Sequence, residues 1–464
     1  MNDDLTSLAR RRFIALASAA AAGVAAGGAA AGADAGARAG AGVADQRSGA
    51  RGEFRYPKGF LWGAATAGHQ VEGGNVNSDI WLLEHVKPTI FAESSGDACN
   101  HYQLYREDIA LLAGLGFNTY RFSLEWSRIE PAPGEFLTAE LEHYRRVLAA
   151  CHEHGIAPML TFNHFTTPRW FAAQGGWENP QAPELFARFC GRAAHHLGDL
   201  IVAASTLNEP NIGLLLKWFN LPPAMWQVQT AMLQAAAAAC GSTRFSAIMA
   251  GDPQAMLPNL LKGHRLAYAA IKSEAGRFPL GVSIAMIDDQ AVGPDSQRNA
   301  KRAECYEPWL AAAAESDFIG VQTYGRSRIG KDGIVPPDAG AELTQMGEEF
   351  YPQALEQTIR YAASATKKPV YVTENGIATT DDSRRVAYIG QALTGLERCL
   401  ADGVDVRGYV HWSLLDNFEW PSGYRPKFGL IGVDRATQVR AVKPSARFLG
   451  AIARANAHNP ESRS

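Results

Sequence analysis

Eight short apolar runs, each followed by an amphipathic stretch of helical period, recur through the chain without a linker between them. This recurrence limits the folds open to it. The runs fall at 60–66, 118–123, 157–162, 201–207, 280–285, 318–323, 369–373 and 406–412. The helical stretches fall at 104–114, 139–154, 183–197, 255–274, 300–314, 353–364, 384–401 and 443–456. Strand-then-helix units in series build a parallel sheet, because parallel neighbours need a long crossover. An open doubly wound sheet and a closed barrel both satisfy that requirement. No G-x-G-x-x-G phosphate loop follows the first run, which argues against the open sheet. Eight units in one unbroken body close a barrel, so the expectation is α/β class, a single (β/α)8 TIM-barrel domain over 53–464.

The first fifty residues stand outside this pattern. Arg10, Arg11 and Arg12 precede an Ala/Gly-rich apolar run at 13–33 that closes on Ala31-Gly32-Ala33. The order Arg10-Arg11-x-Phe13-Ile14 ahead of a weakly apolar segment resembles a twin-arginine export signal. A signal peptide is therefore expected over 1–33 and a flexible Gly/Ala linker over 34–52, with a mature protein that is periplasmic or secreted. The alternatives are an uncleaved membrane anchor and a short amphipathic or unstructured N-terminus. No later stretch reaches about 18 consecutive apolar residues, so no membrane span is expected in the body. Lys and Arg number 44 against 47 Asp and Glu, a net charge of −3. That is too near neutrality for a nucleic-acid platform. Cys99, Cys151, Cys190, Cys240, Cys305 and Cys399 lack metal-type spacing and are too few for a disulfide framework. They are expected to be small buried hydrophobes.

What stands just past each run points to the chemistry. The first leads to His69, Gln70 and Glu72, and the second carries Arg121 and leads to Glu125. The third ends in Asn163-His164-Phe165 and the fourth in Asn208-Glu209-Pro210. The sixth ends near Tyr324, the seventh in Glu374-Asn375-Gly376, and the eighth in Trp412, followed by Asp416, Glu419 and Trp420. Barrels build their active sites at the C-terminal ends of the strands, so this convergence marks a site. Glu209 and Glu374, on strands four and seven, are expected to face each other across the mouth. Such a pair suits glycoside hydrolysis: one carboxyl protonates the departing oxygen, the other attacks the anomeric carbon or activates water. Trp62, Trp126, Trp170, Trp412 and Trp420 are candidate sugar-stacking faces, with plain barrel packing the alternative for each. His69, His101, His164 and His411 stand singly, without H-x-H or H-E-x-x-H spacing, so no metal is expected. No G-x-S-x-G elbow supports a serine nucleophile.

With these residues in view, the chain resembles glycoside hydrolase family 1, the retaining β-glucosidases and β-galactosidases. The resemblance runs from Tyr56 to about Ala455. It rests on F-L-W-G-A-A-T-A-G-H-Q-V-E-G (60–73), Y-R-F-S-L-E-W-S-R-I (120–129), T-L-N-E-P (206–210), Y-V-T-E-N-G (371–376), H-W-S-L-L-D-N-F-E-W (411–420) and F-G-L-I-G-V-D (428–434). It implies that Glu209 is the general acid/base and Glu374 the nucleophile, with Arg121 and Tyr324 tuning the nucleophile. It implies that Gln70, His164, Asn208, Glu419 and Trp420 bind the non-reducing-end sugar, with Trp412 the platform beneath it. The substrate implied is a β-glycoside, either an oligosaccharide or an aryl or alkyl glucoside, with no cofactor. Arg121 beside Glu374 is expected to lower that carboxyl's pKa and keep it ionised, while Glu209 stays protonated.

Departures accompany the resemblance. Gln322-Thr323-Tyr324 stands where the family has Asn-x-Tyr, and Thr166-Thr167 where Asp-Leu is usual. Glu348, in T-Q-M-G-E-E (344–349), replaces a common Trp and is expected to alter the aglycone site. An endo-acting clan relative and a non-catalytic sugar-binding barrel are the competing functions. The sequence leaves the aglycone, the choice among gluco, galacto and fuco sugars, and the oligomeric state open.

Overall fold

Alternation along the strands divides the apolar core in two. The computed structural model describes residues 54–219, 222–274 and 277–457; the signal segment and linker expected at 1–33 and 34–52 lie outside them. Its strands are β1 (Leu61–Ala65), β2 (Thr119–Ser123), β3 (Ala157–Asn163), β4 (Ala203–Asn208), β5 (Leu280–Ala285), β6 (Phe318–Thr323), β7 (Val370–Asn375) and β8 (Val406–Trp412). They close in the order β1-β8-β7-β6-β5-β4-β3-β2, each parallel to its neighbours. Met159, Ala203, Phe318, Tyr371 and Val410 pack inside the barrel. Their chain neighbours Leu160, Ala204, Ile319, Val370 and Tyr409 join the larger cluster under the helices. Successive side chains on a strand point to opposite faces, which is why one sequence period supplies both layers.

The expected helices are present as α1 (His101–Gly114), α2 (Thr138–Glu153), α3 (Ala182–Leu197), α4 (Pro253–Glu274), α5 (Glu307–Ala314), α6 (Ala354–Thr366), α7 (Asp382–Ala401) and α8 (Pro444–Ala457). The helix expected at 300–314 is two helices, Arg298–Cys305 and α5, joined at Tyr306. Pro308 has no N–H to continue the ladder and its ring would clash with the Glu304 carbonyl, so the chain turns there.

Elements outside the eightfold pattern crowd the C-terminal face. Helix Asp79–His85 follows β1, and helices Ile212–Trp218 and Pro223–Ala239 stand between β4 and α4. Strands Asp288–Ala291, Arg326–Gly330 and Gly333–Val335 form a small sheet beyond β5 and β6. The six cysteines are free, five buried and Cys240 half-buried. Among the described residues no helix is long and apolar enough to cross a membrane.

Candidate active site

Two breaks in strand register put the polar residues inside. On β7, strict alternation from Tyr371 would send Glu374 outward. The ladder instead shifts against both neighbours after Val372. Glu374 turns into the barrel mouth, while Asn375 turns out to meet Tyr388 of α7 at 3.2 Å and Tyr409 at 3.0 Å. On β4 the register shifts between Ser205 and Asn208. Thr206 faces out to His264 of α4 at 2.7 Å, and Asn208 turns in. Bulges of this kind re-aim side chains at barrel rims. Glu209 follows with a φ of +42°, its N–H held by the Ser283 carbonyl at 2.8 Å. Phe165 (+69°) and Trp420 (+47°) are left-handed as well. Each such residue costs about 1–3 kcal/mol, a strain that collects at functional sites.

Glu374 is held by three donors. Its Oε1 accepts from Arg121 Nη1 at 2.6 Å and Gln322 Nε2 at 2.8 Å, and its Oε2 accepts from the Tyr324 hydroxyl at 2.6 Å. Gln322, in place of the family's shorter Asn, therefore reaches. Its amide also donates to Asn208 Oδ1 at 2.8 Å, beside Arg121 Nη2 at 2.6 Å. With Oδ1 so occupied, Asn208 presents its NH2 to His164 Nε2 at 3.1 Å. That makes Nε2 the acceptor and leaves the proton on Nδ1, which is buried without a partner among the described residues. Burial, then the Arg121 charge, hold His164 well below the usual histidine range, so the ring is neutral.

The two carboxyls differ in their hold on a proton. Burial pushes Glu209 well above the ordinary carboxylate range, and the Glu374 charge pushes it further. Among the described residues no hydrogen bond to its side chain offsets this. Burial also raises Glu374, against the Arg121 charge and the hydrogen bonds from Tyr324 and Arg121. Arg121 lowers the Glu374 pKa as expected, but burial outweighs it and the hydrogen bonds from Tyr324 and Arg121, so the net direction is upward instead of low. Of the pair, Glu374 is the first to ionise and Glu209 the one to keep its proton, the asymmetry an acid and a nucleophile require.

The sugar-side residues expected from the sequence lie around the same cavity. His164, Glu209, Tyr324, Glu374, Trp412, Glu419 and Trp420 line it. Gln70, just behind, donates to the Phe418 carbonyl at 2.7 Å and to Glu419 Oε2 at 3.5 Å, leaving its own Oε1 buried and unpartnered. Burial, then the Glu374 charge, raise Glu419 to about 8, against hydrogen bonds from Trp412 and Gln70. His164 stacks between Trp412 (ring centroids 5.7 Å) and Trp420 (6.1 Å).

Other candidates serve the scaffold. Trp62 is on the helix-facing side of β1 among Tyr56, Phe60 and Tyr409. Trp126 packs on Phe171, Phe186 and Phe189, with Trp170 edge-on to it. These three tryptophans do not line the cavity, because the strand period turns the first outward and the β2 and β3 loops fold the others over α3. Glu72 pairs with Arg128 at 2.8 Å, and Asp416 with Lys443 at 2.8 Å. Glu125 accepts from Asn75 and Thr166. His69, bonded to Glu84 at 2.8 Å, lies flat against Trp420 at 5.9 Å and 4° and so orients it. Glu348 is buried away from the lining; Met346 reaches the cavity instead. Sequence reasoning left out the double contact of Gln322. It also left out Tyr388, whose hydroxyl donates to the Tyr324 carbonyl at 2.8 Å.

Comparison with known proteins accords with this geometry. The family described as Glycosyl hydrolase family 1 matches residues 53–247 and 305–458. The chain belongs to glycosyl hydrolase family 1. Strand β5 falls between the two matched stretches, yet it takes its place in the barrel. Beta-glucosidase A of Acetivibrio thermocellus is 30% identical over 442 residues, 86% of this chain and 98% of that protein. The solved apo structure of a beta-glucosidase 1317 shares 49% identity at a TM-score of 0.84, covering 87% of this chain and all of that one. The solved beta-glycosidase BGL167 shares 52% identity at a TM-score of 0.83, covering 86% of this chain and 97% of its own. The chain is a glycoside hydrolase.

Proposed function

We propose that the protein is a retaining exo-β-glycosidase that releases a terminal β-D-glucosyl residue. The observation carrying this is the unequal pair of carboxyls in one cavity, Glu374 under three donors and Glu209, among the described residues, under none. Glu374 attacks the anomeric carbon while Glu209 protonates the departing oxygen. Glu209, now an anion, takes a proton from the water that hydrolyses the glycosyl-enzyme. Asn208 bonds the sugar 2-hydroxyl, an interaction that strengthens in the oxocarbenium-like transition state. Gln70, His164, Glu419 and Trp420 hold the remaining hydroxyls over Trp412, and Glu419 closes the far end against a longer chain. That closure favours exo over endo action. The names of the relatives, beta-glucosidase in two cases, support the sugar.

We propose further that the protein is exported through the Arg10-Arg11 signal. The activity is tested with a panel of aryl β-glucoside, β-galactoside and β-fucoside, following the product by NMR. The first-formed sugar is expected to be the β anomer. First appearance of the α anomer, or no turnover of any member, would contradict the reading.

A further inference from the structure

The catalytic groups share their cavity with a long run of apolar side chains. Beyond the carboxylates the wall changes character. Leu83, Phe91, Trp226, Met232, Met249 and Met346 line it, brought by segments that are not part of the strand-helix repeat. Glu209, Glu374 and Glu419 are the only Asp, Glu, Lys or Arg side chains among the described lining residues, and all three belong to the sugar end. The polar exception farther out, Gln229, spends its amide on the Ala250 carbonyl at 2.7 Å.

Resting on the β-glycosidase reading above, we propose that the substrate is the glucoside of a long hydrocarbon alcohol, its chain lying along this wall. A second sugar there would set hydroxyls against carbon with little to bond them, which is costly. A hydrocarbon gains from every methylene it removes from water. Helix Pro223–Ala239 supplies Trp226 and Met232 to the wall. Met249 and Ala250 follow in a segment, 248–304, that lies outside the family match.

The test is kcat/KM for methyl, butyl, hexyl and octyl β-D-glucosides, below micelle-forming concentrations, beside cellobiose and 4-nitrophenyl β-glucoside. Each added methylene is expected to raise kcat/KM about two- to fourfold, so that octyl glucoside exceeds methyl glucoside by about 100-fold or more and is preferred to cellobiose. Trp226→Ala and Met249→Asn are each expected to flatten the chain-length slope. Turnover of the nitrophenyl glucoside with a flat alkyl series, or with cellobiose preferred, overturns this inference and leaves the glycosidase reading standing. A steep slope unchanged in both variants overturns the wall as its cause. Turnover of no member overturns both.

Discussion

Glu209 and Glu374 share a cavity, and the charge of one holds the proton on the other. Removing that charge in Glu374→Gln is expected to lower the Glu209 pKa. Burial remains, so the value stays above that of an ordinary glutamate; titration by carboxyl-labelled NMR measures it. In the intact enzyme both groups are raised, so kcat/KM against pH rises as Glu374 ionises and falls as Glu209 loses its proton. The acid limb should lie above about 4.3, the unperturbed glutamate value. Gln322→Leu removes two donations at once, one to Glu374 and one to Asn208. A hydrogen bond to a charged group is worth about 1.5–3 kcal/mol, so kcat is expected to fall about 10- to 100-fold with the fold intact by circular dichroism. An unchanged kcat would make Gln322 a packing residue. The site residues were legible in the sequence because each stands beside a strand end in a recognisable motif. The reach of Gln322 was not, since it depends on an inward register position that only the barrel supplies. Nor was the outward turn of Trp62, which belongs to the same motif as Gln70.

At the scale of elements, the strands and the eight main helices were legible because each carries a strong period. The bulges that turn Asn208 and Glu374 inward leave no period to read: they are a one-residue slip in hydrogen bonding. Helix Pro223–Ala239 escaped for a different reason. Its buried side, Met225, Gln229, Met232 and Ala236, includes a glutamine and runs into five alanines at 235–239, so the apolar contrast is blurred, and the helix has no strand of its own in the eightfold alternation. The junction of β7 with β8 is tight enough to test. A Cβ on Gly376 would lie 2.0 Å from the Trp412 carbonyl oxygen, against backbone that cannot yield cheaply. Gly376→Ala is expected to cost about 1–3 kcal/mol or more in thermal or chemical unfolding, and activity with it. Gly114→Ala, which meets nothing within 4 Å on α1, should be neutral or slightly stabilising. Equal effects at both sites would refute the packing argument.

For the whole molecule, a closed barrel keeps its core independent of its rim. This is why one sequence carries catalytic groups on the strand ends and an apolar wall brought by the connecting segments above them. The barrel lies within residues 54–457, apart from the signal-like segment at 1–33, so export and folding make separate demands on the chain. Arg10→Lys and Arg11→Lys together are expected to leave the precursor in the cytoplasm, detected by fractionation and immunoblot. Undiminished export of the double variant would exclude the twin-arginine reading.

The central claim is the division of labour across the mouth, and azide reads it directly. Given a dinitrophenyl β-glucoside, whose leaving group departs without an acid, Glu209→Ala is expected to form the glycosyl-enzyme and hydrolyse it slowly for want of a base. Azide needs no base, so it should restore turnover and yield the β-glucosyl azide. In Glu374→Ala the same additive should attack from the vacated side and yield the α-glucosyl azide. The same anomer from both variants, or rescue of neither, would contradict the assignment.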